Sequence, residues 1–79
     1  MYDIDEWHWV VNVEDMTCKN LENEVTIKME KVGENLKAML QYMPMELFAE
    51  IARYSDGEKI IEEIVRLAEV EYLSSKNRG

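Results

Sequence analysis

The sequence holds one cysteine, one histidine, one proline and three glycines. A lone cysteine excludes an internal disulfide. One Cys with one His also falls short of the four ligands of a typical structural zinc site. No apolar run nears the ~18 residues of a membrane span, and no glycine-rich loop is present to cradle a phosphate. Positive charge is scarce as well. Nine Lys and Arg face seventeen Asp and Glu, a net charge of −8. Direct binding to nucleic acid is therefore not expected, because phosphates need basic side chains to displace their counterions. The N-terminal stretch is acidic where a secretory leader is basic, so no leader is expected. A thiol with no disulfide partner fits a reducing compartment, and a cytoplasmic location is the expectation.

What is present describes one small domain over residues 1–79, with 47% apolar and 33% charged residues. At this size a single core supplies only roughly 3–5 kcal/mol of net stability. With no disulfide or metal to supplement it, the chain depends on tight packing or self-association. The negative charge is concentrated. Residues 1–24 hold seven acids and one base (−6), and residues 25–79 hold ten acids and eight bases (−2).

Residues 1–6 are polar enough to form a loose arm. Trp7, Trp9, Val11 and Val13 alternate with His8, Val10 and Asn12, and aromatic and β-branched types at period two predict a strand. Val25, Ile27 and Met29 repeat the pattern. The polar stretch 14–24 between them is expected as a long hairpin connection. Gly33 and Asn35 mark a turn. In 36–43, Leu36, Ala38, Leu40 and Tyr42 alternate with Lys37, Met39, Gln41 and Met43, although Leu36, Leu40, Met43 and Leu47 also keep a helical stripe. Pro44 favours the strand, since it pushes Met43 out of the α region and suits the first helical position itself. Pro44 to Arg53 then predicts a short helix with Leu47, Phe48, Ile51 and Ala52 on one side. Ser55 and Glu58 match a capping box for a last helix ending near Leu73. Ile60, Ile61, Ile64, Leu67, Ala68 and Tyr72 form its apolar face, and 74–79 is expected as a frayed tail. The predicted fold is α+β: a three-stranded antiparallel meander with two helices on one sheet face. Its alternative is a β-hairpin followed by a Pro-kinked helix and a C-terminal helix.

Chemistry is thin. A catalytic Cys–His pair needs mutual reach and an orienting third group, and nothing in the spacing of His8 and Cys18 supplies them. Carboxylates near Cys18 in sequence (Glu14, Asp15, Glu22) disfavour a thiolate. Asp15 to Glu24 lacks the alternating oxygen ligands and the glycine of a calcium loop. No catalytic residue, metal site or cofactor is therefore assigned, and the protein is expected not to be an enzyme.

Two functional expectations follow. The first is a small acidic protein-binding module, in its most specific form an inhibitor docking on the basic surface of a nucleic-acid-handling protein. Asp3, Asp5, Glu6, Glu14 and Asp15 would make the contact, because alternate strand side chains at ~7 Å match the phosphate spacing of an extended strand. The second is a self-associating domain. Glu71 falls inside the apolar arc of the last helix while Val70 and Leu73 fall outside it, so this helix end would meet a second copy through Val70, Glu71 and Leu73.

Overall fold

The computed structural model describes residues 4–78, apart from the side chains of Asp5, Asn77 and Arg78. After one 3-10 turn at Ile4–Glu6 come four strands: β1 (Trp9–Asn12), β2 (Thr17–Asn20), β3 (Thr26–Val32) and β4 (Asn35–Tyr42). Two helices follow, α1 (Met45–Ala52) and α2 (Gly57–Arg78). The strands form one sheet in the order β1-β2-β3-β4, with every neighbouring pair antiparallel. The class is α+β as the pattern predicts, but the meander has four strands where three were expected.

The additional strand is β2, inside the stretch expected as a connection. Its alternation is real but is written in small and polar residues. Cys18 and Asn20 are buried while Lys19 is exposed. Asparagine and lysine are depleted in strands, so the composition conceals the period. Tight turns make room for it. The Asn12 side-chain oxygen accepts the Asp15 N–H at 3.0 Å, its amide donates to the Asp15 carboxylate at 3.0 Å, and Met16 takes φ 57°. This turn also corrects Val13, which the alternation placed in the strand in phase with Trp7, Trp9 and Val11: it lies past the end of β1 and is 49% exposed.

β3 and β4 are joined by Gly33-Glu34, with Val32 opposite Asn35. Gly33 at φ 64° is the first central residue, the position where a type II′ hairpin requires glycine. Residues 36–42 are strand, so the Pro-kinked helix is not formed. Pro44 (φ −56°, ψ 138°) precedes α1, and its carbonyl accepts the Phe48 N–H at 3.0 Å.

Both helices pack on one face of the sheet. The core joins Cys18, Val25, Ile27 and Met29 from the sheet side to Leu47 and Ile51 of α1 and to Ile60, Ile64, Ala68 and Tyr72 of α2. Ile4 is buried with them, and Trp7 and Trp9 pack half-buried against the cluster with ring centroids 6.2 Å apart. The buried row of α2 advances strictly by four residues. Such a row drifts around a 3.6-residue helix by about 40° per step, which carries Glu71 to the margin of the contact. That drift explains why Glu71 projects into the arc set by Ile60 and Ile64 and is nevertheless exposed. α2 starts at Gly57, so Asp56 takes the cap position predicted for Ser55, and its backbone carbonyl accepts the N–H groups of Lys59 and Ile60 at 3.0 and 3.1 Å. A Cβ on Gly57 would lie 2.8 Å from the Ile51 carbonyl oxygen, so the start of α2 packs against the end of α1 with no room for a side chain. α2 runs to Arg78, beyond the end expected near Leu73. Among the described residues no helix is long and apolar enough to cross a membrane.

Candidate functional site

The acidic residues of the first third do not form one row. Asp3 lies outside the described residues, as does the side chain of Asp5. Glu6 is exposed before β1, and Glu14 and Asp15 are exposed in the turn after it. The four residues of β1 stand between them, roughly 13 Å of strand. The open sheet face is not acidic either. Its strand positions carry Lys19, Lys28 and Lys37 against Glu30, which pairs across with Lys37. Val70 (48% exposed) and Leu73 (39%) point outward from α2, on the side opposite its buried row.

The structure instead gathers carboxylates at the end of the sheet where the β2–β3 turn meets α1. Glu22 and Glu24 of the turn and Glu46 and Glu50 of α1 line a shallow groove of about 450 Å³, together with Leu21, Asn23, Pro44 and Leu47. No lysine or arginine lines it. On other sides of α1 two large apolar side chains are uncovered, Met45 (85% exposed) and Phe48 (50%), because Leu47 and Ile51 alone are its buried residues; Phe48 lines a separate cavity with Tyr54 and Ile61. Glu46 and Glu50 share one helix face at i,i+4, and Met45 and Phe48 are neighbours at i,i+3.

Asn20 builds the turn that carries half of the groove. It is fully buried, its Oδ1 accepts the Asn23 N–H at 2.7 Å, and its Nδ2 donates to Glu22 Oε1 at 3.2 Å. The backbone closes around it: Asn20 N–H donates to Val25 O and Glu24 N–H donates to Asn20 O, both at 2.8 Å. Glu24 takes φ 60° to complete the loop. Glu22 is fixed from the other side by His8, whose backbone N–H donates to Oε1 at 2.8 Å and whose Nδ1 lies 2.6 Å from Oε2.

That contact sets the titration of both groups. The hydrogen bond that His8 donates to the Glu22 carboxylate, reinforced by that carboxylate's charge, holds the His8 pKa above 6.5. The same bond holds the Glu22 carboxyl below its ordinary value. The ion pair is complete between the two folded pKa values. It is lost as pH rises through that of His8 and as pH falls through that of Glu22. The expected result is an NMR titration of His8 with its midpoint above 6.5, returning toward that value in Glu22→Gln. A wild-type midpoint at or below it would contradict the contact.

Cys18 is the other titratable group of interest. Burial, and then the nearby Glu71 carboxylate, push its thiol up to about 11. Its sulfur donates to the Ala68 carbonyl at 3.3 Å, clamping β2 to α2. A thiol so placed is a core side chain, since nucleophilic sulfur requires the thiolate. Among the described residues no group of three or more His, Cys, Asp or Glu is arranged to hold a metal ion.

The groove was not legible in the sequence. Glu22 and Glu24 are separated from Glu46 and Glu50 by two strands, and only the return of the chain after Pro44 brings them together. The one local signal was the density of Asn and Glu in 20–24, which reads equally as a plain surface turn. Fold and groove together define a small α+β domain with one open sheet face and an acidic end. Comparison with protein-family models, curated proteins and solved structures finds no match.

Proposed function

We propose that this protein is a small non-enzymatic binding module that docks through its acidic end on the basic surface of a larger protein, and that a nucleic-acid-handling protein is the class of partner it inhibits. The observation that carries the reading is a groove lined by four glutamates and by no lysine or arginine, with Glu22 among them held by His8. Carboxylates would steer the encounter and set its orientation. A partner that normally binds phosphates presents the complementary positive surface.

The test is a salt-dependent pull-down from host lysate with mass spectrometry, followed by affinity measurement on the purified partner. Glu24→Gln with Glu46→Gln is expected to weaken binding about two- to thirtyfold at low salt, since exposed ion pairs contribute ~0.2–1 kcal/mol each. Changing Glu6, Glu14 and Asp15 to their amides should have the smaller effect, because these residues lie at separate ends of β1. Unchanged affinity of the groove variant at low salt would remove the acidic-end reading.

Self-association through α2 finds less support. A symmetric dimer would bury Val70 and Leu73 of both copies, four side chains that are already about half-buried, so each adds about half of the ~1.5–3 kcal/mol of complete burial, or roughly 3–6 kcal/mol together. Association costs an estimated 4–15 kcal/mol in lost freedom.

A further inference from the structure

The outer edge of β4 has the features of a self-pairing strand. In a two-residue hairpin the pair that closes the turn is hydrogen-bonded, so Val32–Asn35 is followed alternately by Lys31–Leu36 without bonds and Glu30–Lys37 with them. The regular register continues to Met29–Ala38, Lys28–Met39 and Ile27–Leu40. The N–H and C=O groups of Leu36, Ala38 and Leu40 therefore point away from β3. β4 is the last strand of the sheet, and among the described residues no backbone or side-chain group bonds these outward positions. Edge strands are usually kept short or blunted by proline and charge. β4 runs eight residues with no proline, no acid and a single lysine, and Lys37 points to the open face.

The edge is also self-complementary. On the helix side of the sheet its side chains read Leu36, Ala38, Leu40, symmetric about Ala38. Leu36 and Ala38 are half-buried and Leu40 is 36% exposed, so the helices leave this border of the core uncovered. We infer that β4 pairs antiparallel with β4 of a second copy about a two-fold axis through Ala38, joining the two sheets into one of eight strands. Leu36 then stands opposite Leu40 of the second copy, Ala38 opposite its counterpart, and Lys37 opposite Met39 on the open face. The outward groups of Leu36, Ala38 and Leu40 are satisfied in hydrogen-bonded pairs, and both helix layers lie on the same side of the joined sheet. A second copy is the occupant rather than an unrelated peptide because the row matches itself in size and register. In a chain of net charge −8, this acid-free strand also brings two copies together with little local repulsion. The interface lies on a different surface from the acidic groove and does not depend on it.

Sedimentation and light scattering across concentration test this, with amide hydrogen exchange as a second measurement. The wild type is expected to rise from 9.4 kDa toward twice that mass. Ala38→Pro should remain at monomer mass. It removes the outward N–H at the axis and no bond to β3, because Met29–Ala38 exchanges none. Leu40→Lys should do the same with the backbone donor intact. The amides of Leu36, Ala38 and Leu40 should exchange slowly at high concentration and quickly on dilution, while those of Lys37 and Met39 stay slow throughout. A wild type of monomer mass up to about 1 mM, a dimer that survives both substitutions, or outward amides that exchange fast at every concentration would each overturn the inference.

Discussion

Tyr72→Ala is expected to abolish the cooperative thermal transition at neutral pH. Tyr72 is 1% exposed and is the largest of the fully buried side chains. It closes the row that begins at Ile60 and pins the C-terminal half of α2 to the sheet. Truncating a buried aromatic costs about 3–5 kcal/mol, through lost transfer energy and the cavity left behind. A domain of this size has roughly 3–5 kcal/mol in total. The two magnitudes coincide, so the variant should populate the unfolded state at 25 °C. Tyr72→Phe keeps the ring and should melt close to the wild type. Calorimetry or circular dichroism settles the matter. A Tyr72→Ala protein that melts within a few degrees of the wild type would mean that α2 is not anchored through this residue.

The second large effect is expected at Asn20. Asn20→Ala removes the acceptor of the Asn23 N–H and the donor to Glu22 in a fully buried position. An unsatisfied buried polar group costs about 1–3 kcal/mol. In a domain of 60–100 residues each 1 kcal/mol shifts Tm by about 4–8 °C. A fall of roughly 10–15 °C is therefore expected, about the middle of that range. Asn20→Asp separates the two hydrogen bonds. It keeps the acceptor, loses the donor and sets a charge against Glu22. It should be less stable than Asn20→Ala at neutral pH and recover as pH falls and the new carboxyl protonates. Asn20→Ala frees Glu22 from one of its anchors, so the His8 titration should move back toward its ordinary value in that variant. Wild-type melting in both would show that the β2–β3 turn does not need this side chain.

Asn20 also shows what one-dimensional reading misses. An asparagine in a polar stretch suggests an exposed turn, and its burial becomes visible only when the backbone groups around it are traced. The same holds for β2 as a whole, whose inward residues are a cysteine and an asparagine. Hydrophobic periodicity, the main sequence signal for a strand, has almost nothing to register there. Where the inward residues are large and apolar, as in β1, β3 and the two helices, the period identified the element. Where two periods competed, in 36–43, Pro44 pointed to the strand because its geometry acts on the residues next to it.

By itself the sequence determined the α+β class, the apolar rows of β3 and α2, the turn at Gly33, the break at Pro44 and the acidic character of the chain. All of these depend on local geometry or on composition, which act within a few residues. Tertiary structure alone decided the fourth strand, the exposure of Glu71, the meeting of Glu22 and Glu24 with Glu46 and Glu50, and the bare outer edge of β4. Each of these depends on which distant segments become neighbours. That is set by the angle at which α2 crosses the sheet and by the path of the chain after Pro44, which no short window of residues encodes.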